Sequence, residues 1–206
     1  MFQKTKKTDV PKVRRASNWQ SDILGVLVFV IIIAAGVFII NMVVFRSYAV
    51  TGPSMEPTFY TGDRIIVNRL PVTWSSLKGG EYMPQRGEII VFENPQFKEG
   101  DQDKYIVKRV IAFPGERVVV KDCNITIYSD ETPKGLNPYD DIDIKPTCVS
   151  GAGDTVVPDR QIYVVGDHRD GHYSLDSRNN LGTVPFEKII GPVSIQLLPV
   201  EKFHIF

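Results

Sequence analysis

The chain has 206 residues, with 24 Lys+Arg balanced by 24 Asp+Glu, 43% apolar residues and 10% aromatics. Those proportions exclude a disordered or collagen-like chain, and the length suits one domain plus an appendage. A net charge of zero leaves no excess of positive charge for phosphates, so nothing in the composition points to nucleic acid.

The charge is unevenly spread along the chain. Residues 1–22 carry Lys4, Lys6, Lys7, Lys12, Arg14 and Arg15 against Asp9 and Asp22. Residues 23–45 then hold no charge at all. As a helix they would span roughly 34 Å, enough for a bilayer core of about 30 Å. The pattern predicts a basic cytoplasmic tail (1–22), a single transmembrane helix (23–45) and an extracytoplasmic domain (46–206), because basic flanks stay inside. A removable signal peptide has an apolar core of about 7–15 residues, which favours a retained anchor. Ser47-Tyr48-Ala49 nonetheless has a small-x-small pattern, so processing after Ala49 stays open.

Beyond the anchor the expectation is mainly β, an all-β domain. Short β-branched or aromatic runs fall at 47–51, 64–68, 88–93, 105–112, 117–121, 125–128, 161–165 and 189–198, punctuated by Gly, Pro, Asn and Asp. No amphipathic helix, nucleotide-binding glycine loop or internal repeat stands out. Residues 129–158, rich in Pro, Gly and Asp, read as an inserted β-rich excursion on the β body. Cys123 and Cys148 flank much of it; they either pair, as exported domains allow, or stay as two buried thiols. The histidines show no ligand spacing with the cysteines, so neither metal nor cofactor is expected.

Three segments carry polar groups that packing does not need. In Gly52-Pro53-Ser54-Met55-Glu56-Pro57-Thr58 two prolines fix φ on either side of a serine, which holds it in a defined place or simply makes a polar turn. In 104–116, strand alternation puts Lys108 on one face with Ile106, Val110 and Ala112. Burial on that face disfavours the ammonium; a pKa lowered by about two units costs roughly 2.7 kcal/mol and leaves an amine able to take a proton near pH 8. The plain alternative is a lysine at a sheet edge, reaching water or a carboxylate. The third segment, 166–182, follows a strand and packs Asp167, His168, Arg169, Ser174, Asp176 and Arg178 into one loop.

Together these segments resemble the bacterial type I signal peptidases, membrane-anchored serine proteases that use a Ser–Lys dyad. Ser54-Met55-Glu56-Pro57-Thr58 with Gly62-Asp63 is similar to the family's nucleophile segment. Residues 86–92 resemble its next strand, 108–116 its lysine motif, and Gly166-Asp167-His168-Arg169 with Ser174-Leu175-Asp176-Ser177-Arg178 its last motif. The resemblance implies Ser54 as nucleophile, Lys108 as general base, and the Ser54 backbone N–H as one oxyanion donor. It also implies Ser174 bonded to the Lys108 amine, with Asp176, Arg178, Asp167 and Arg169 bracing the loop through ion pairs. The implied substrates are secretory preproteins cut after small-x-small, usually Ala-x-Ala, and the implied partners are signal peptides and the lipid bilayer.

Two positions depart from the family's pattern. Gly52 stands two before the nucleophile where many relatives carry Ser, as in many Gram-positive members, so the second oxyanion donor is unassigned. His168 stands where the last motif normally has Asn, and Gly171-His172-Tyr173 lengthens the gap to Ser174 by two residues. Met55, Phe59 and Tyr60 belong either to a lipid-facing rim or to the core.

Other readings fare less well. A Ser–His–Asp hydrolase would need His168, His172 or His204, none of which the sequence ties to Ser54, and there is no Gly-x-Ser-x-Gly elbow. A penicillin-recognising Ser-x-x-Lys fails because position 57 is proline. A self-cleaving repressor would carry a DNA-binding module in place of the apolar segment. A non-catalytic assembly factor for surface structures would be expected to lack Ser54 or Lys108.

Overall fold

The computed structural model describes residues 19–140, 151–169 and 174–206, less the side chains of residues 21, 39 and 41–43. The chain divides into two compact units, Met1–Ile39 and Ile40–Phe206. Helix α1 (Trp19–Val43) opens in the first, and the apolar side chains it presents there, Leu24, Phe29 and Ile31 among them, are exposed. It begins before the apolar segment predicted at 23–45 and ends short of it, because Phe45 already belongs to a strand. Over the described residues no helix is long and apolar enough to cross a membrane. Most of the basic tail lies outside the described residues.

The second unit holds all the described strands: β1 (Phe45–Ala49), β2 (Arg64–Asn68), β3 (Ile89–Glu93), β4 (Tyr105–Ala112), β5 (Arg117–Lys121), β6 (Asn124–Tyr128), β7 (Gly153–Val156), β8 (Gln161–Val165), β9 (Val184–Pro185), β10 (Ile189–Leu198) and β11 (His204–Ile205). They form a mainly β fold, as expected. One sheet of eight strands runs β1-β2-β10-β3-β4-β8-β9, with β11 on β10; a second runs β6-β5-β7. The described pairings are antiparallel, so one face can be buried while the other is wet.

Three apolar clusters hold the unit together, and one of them anchors the segment around Ser54. Met55 and Phe59, both 0% exposed, pack with Val50, Ile65, Val67, Val91 and Val193, so these two residues are core and not a lipid-facing rim. Tyr60 remains exposed. The second cluster lies under β3, β4 and β8, and the third joins the small sheet to Ile111, Tyr163 and Val165.

One expectation is corrected here. A helix, α2 (Leu70–Leu77), stands where none was read. Leu70, Trp74 and Leu77, at i, i+4 and i+7, face outward, while only Val72 packs against the core. With its apolar stripe on the solvent side, α2 lacks the usual pattern of a core-facing helix. The excursion at 129–158 also contains β7, which pairs with β5, and Leu136 bridges to Ile127. Its composition hid the strand, since Gly153 and Asp154 are poor strand formers and β7 sits at a sheet edge. Cys123 is disulfide-bonded, and the chain's other cysteine, Cys148, lies outside the described residues.

Candidate active site

The segment around Ser54 is a turn closed from both ends. Val50 donates its N–H to the Asp63 carbonyl and accepts from Gly62 N–H, at 2.8 and 2.9 Å, which pins the chain on either side of Ser54. Buried Asp63 accepts from Tyr60 N–H and Gln196 Nε2, each at 2.8 Å. Inside the turn, Glu56 N–H bonds Pro53 O at 3.0 Å and Phe59 N–H bonds Met55 O at 2.9 Å. Pro53, with no N–H to satisfy, fits such a tight start.

Lys108 arrives from the middle of β4, where alternation carries its side chain inward; it is 3% exposed. Its Nζ lies 2.7 Å from Ser54 Oγ and 2.8 Å from the Val107 carbonyl. Burial pushes its pKa down to about 8, opposed by the nearby Asp176 and Asp167 carboxylates, which favour the charged form. A serine hydroxyl in hydrogen-bond contact with an amine that can be neutral near pH 8 is a constellation suited to nucleophilic catalysis.

The loop after β8 closes over this pair. Asp176 accepts the Gly166 N–H at 3.0 Å and is gripped by the Arg178 guanidinium at 2.7 and 3.1 Å. Both side chains are buried. Arg178 also donates to the Arg169 carbonyl, and Asn179 Nδ2 to the Ser174 carbonyl. Gly166 has no room for a side chain: a Cβ there would strike both the Ser54 carbonyl and Ser174 Oγ.

Three expectations change at the site. Asp167 is held by Arg109, which donates Nε and NH2 to its two oxygens at 2.8 and 2.6 Å, while Thr58 Oγ1 adds a third bond at 2.5 Å. Arg169 stacks its guanidinium over the Tyr139 ring, 3.4 Å from the centroid. Arg109 was in plain view beside Lys108, but its partner lies 58 residues away. Ser174 is buried where the loop packs on Gly166, yet among the described residues its Oγ has no hydrogen-bond partner, and the bond to Lys108 is not made. His168, which the sequence does not tie to Ser54, sits against the Ser54 turn: its N–H bonds the Ser54 carbonyl at 3.2 Å and its Nδ1 meets the Pro53 carbonyl at 3.1 Å. The ring nitrogen therefore touches backbone and not the Ser54 hydroxyl. His204 is exposed against the Phe206 ring, and His172 lies outside the described residues.

A cavity of about 410 Å³ opens on the dyad, with Ala49, Thr51 and Gly52 on one wall and Lys104, Ile106 and Leu175 among the residues opposite. Among the described residues no cluster of three or more His, Cys, Asp or Glu could hold a metal ion.

Fold and site together describe a β-rich protein with a serine and a buried lysine at the floor of a cleft. Residues 23–198 match the family described as signal peptidase, peptidase S26, and the chain belongs to that family. It is 32% identical over 181 residues to Signal peptidase I U of Bacillus subtilis (strain 168), covering 87% of this chain and 89% of that one. With Signal peptidase I P of Bacillus subtilis subsp. natto it shares 29% over 195 residues, 93% and 95% of the two chains. A solved signal peptidase I from Enterococcus faecalis aligns at 25% identity and a TM-score of 0.40 over 54% of this chain and 97% of that one, too loose a superposition to bear on the fold.

Proposed function

We propose that the protein is a membrane-anchored serine endopeptidase that removes signal peptides from exported preproteins after small-x-small sites, with Ser54 as nucleophile and Lys108 as general base. The observation that carries this reading is the 2.7 Å contact between Ser54 Oγ and a lysine whose pKa burial lowers to about 8. The matched relatives are named signal peptidase I, which supports the same substrate class.

With its amine neutral, Lys108 accepts the Ser54 hydroxyl proton as Oγ attacks the scissile carbonyl. The resulting oxyanion lies against the Ser54 backbone N–H. As the C–N bond breaks, the Lys108 ammonium returns the proton to the leaving amine, which departs as the mature protein. A water then attacks the acyl-enzyme, Lys108 taking and returning its proton, and the signal peptide leaves with a free carboxylate. Ser174, buried beside Gly166, is the amine's second support by the family resemblance, its hydroxyl making no other bond among the described residues. Asp176 and Arg178 hold the loop that carries it.

The anchor rests on the sequence, in which the uncharged run of residues 23–45 exceeds the roughly 20 residues that a bilayer core requires. The basic residues before it place the N-terminus on the cytoplasmic side and the β unit outside. In that arrangement a signal peptide held in the bilayer presents its cleavage site to the cleft, where an extended segment can pair with strand edges and small side chains fill shallow pockets. The non-catalytic alternative expects Ser54 or Lys108 to be lost; both are present and in contact.

The test is cleavage of a preprotein peptide with Ala at −3 and −1 by the detergent-solubilised chain, beside Ser54→Ala. Cutting after −1 by the wild type alone is expected. Equal cutting by both would overturn the nucleophile, and a folded wild type that cuts nothing would overturn the activity.

A further inference from the structure

The Ser54 N–H belongs to the same peptide unit as the Pro53 carbonyl. A peptide is planar, and in the trans form its C=O and N–H point in opposite directions, so whatever fixes the carbonyl also aims the N–H. The described cis bonds precede Pro57 and Pro199, so this peptide is trans. Its carbonyl accepts from Glu56 N–H at 3.0 Å and lies 3.1 Å from His168 Nδ1. A carbonyl only accepts, so Nδ1 must carry the hydrogen. The next peptide is held by the same residue, because His168 N–H donates to the Ser54 carbonyl at 3.2 Å. Both peptides flanking the Ser54 Cα are thus gripped by one histidine, and the backbone of the nucleophile has little freedom left.

We infer that His168 is a positioning residue for the oxyanion site: its Nδ1–H fixes and polarises the Pro53–Ser54 peptide from the carbonyl end, so that the Ser54 N–H at the other end is aimed at the developing oxyanion. This rests on the proposed role of Ser54. Donation to the carbonyl also strengthens the N–H as a donor, since hydrogen bonds in a chain polarise one another. The arrangement matters more here because residue 52 is glycine, which offers no hydroxyl as a second donor. It also gives a physical reason for a histidine where the family's last motif has asparagine: both present an N–H at the end of a short, stiff side chain.

The role separates a donor from mere bulk. In the detergent-solubilised full chain, with the peptide bearing Ala at −3 and −1, His168→Ala is expected to lower kcat by about ten- to a hundredfold, a fraction of what losing an oxyanion donor outright removes. KM should stay within about twofold, because the oxyanion exists only in the transition state. His168→Asn restores a donor and should recover most of kcat. His168→Asp, close to Asn in size, turns an acceptor toward a carbonyl and should fall at least as low as Ala. The pH midpoint of the rate, which belongs to Lys108, should not move in the Ala and Asn variants; the new carboxylate of the Asp variant raises it, so its kcat is compared on the high-pH plateau. If Ala fails to fold by thermal melting, the Asn and Asp variants decide alone. Equal kcat in folded Asn and Asp variants, or wild-type kcat in a folded Ala variant, would overturn the inference. A wild type that does not cut, or a Ser54→Ala variant that does, would instead bring down the proposed function beneath it.

Discussion

Two arginine–carboxylate pairs of nearly the same geometry sit in the two sheets. On β4 the Arg109 fork meets Asp167 at 2.8 and 2.6 Å; on β5 the Arg117 fork meets Asp154 at 2.7 and 2.5 Å. Their surroundings differ. The side chains of the first pair are 9% and 0% exposed, those of the second 53% each. Burial, and not bond length, decides what such a pair does. Arg109 and Asp167 cannot be hydrated if separated, so they tie β4, one residue from Lys108, to the loop that carries His168 and, through Thr58, to the nucleophile turn. Arg117 and Asp154 can return to water at little cost and merely decorate an edge of the small sheet.

The contrast can be broken or sharpened by substitution, beginning at the buried amine. Lys108→Arg should lose turnover by about 10²–10⁴-fold in the peptide assay, because arginine stays charged and cannot serve as base. Arg109→Ala leaves a buried carboxylate unpaired and should destabilise the folded chain by about 3–5 kcal/mol, read from its unfolding transition in detergent. Gly166→Ala drives a methyl into the Ser54 carbonyl and Ser174 Oγ, and should lower kcat about tenfold or more, with the melting transition reporting whether the fold survives. Asp154→Ala, in the exposed pair, should leave kcat/KM within about twofold and the melting transition unmoved. A loss from Asp154→Ala rivalling that from Arg109→Ala would show that burial is the wrong discriminator.

Much of this was legible in the sequence, for reasons that also explain the gaps. The strands at 64–68, 105–112, 117–121, 161–165 and 189–198 match their predicted bounds because each is a β-branched run flanked by turn formers. Alternation along 105–108 was enough to turn Lys108 inward; beyond it a register shift between Val110 and Ala112 breaks the simple pattern. Helix α2 was missed because Leu70, Trp74 and Leu77 face outward, and β7 because an edge strand of Gly153-Asp154-Thr155-Val156 carries little local signal. The Arg109–Asp167–Thr58 tie and the His168 grip on Pro53 were invisible for a different reason. They join residues 58 to 115 positions apart, and only the order of strands in the sheet decides which loops meet.

The central claim is that Lys108 works as a neutral base on Ser54, and the pH dependence of kcat/KM on the Ala-x-Ala peptide tests it most directly. Burial lowers the amine's pKa to about 8, and the active form is the deprotonated one. The rate should therefore climb about tenfold per pH unit below that value and level off above it. A rate already flat between about pH 6 and pH 8, with the protein folded throughout, would contradict the assignment.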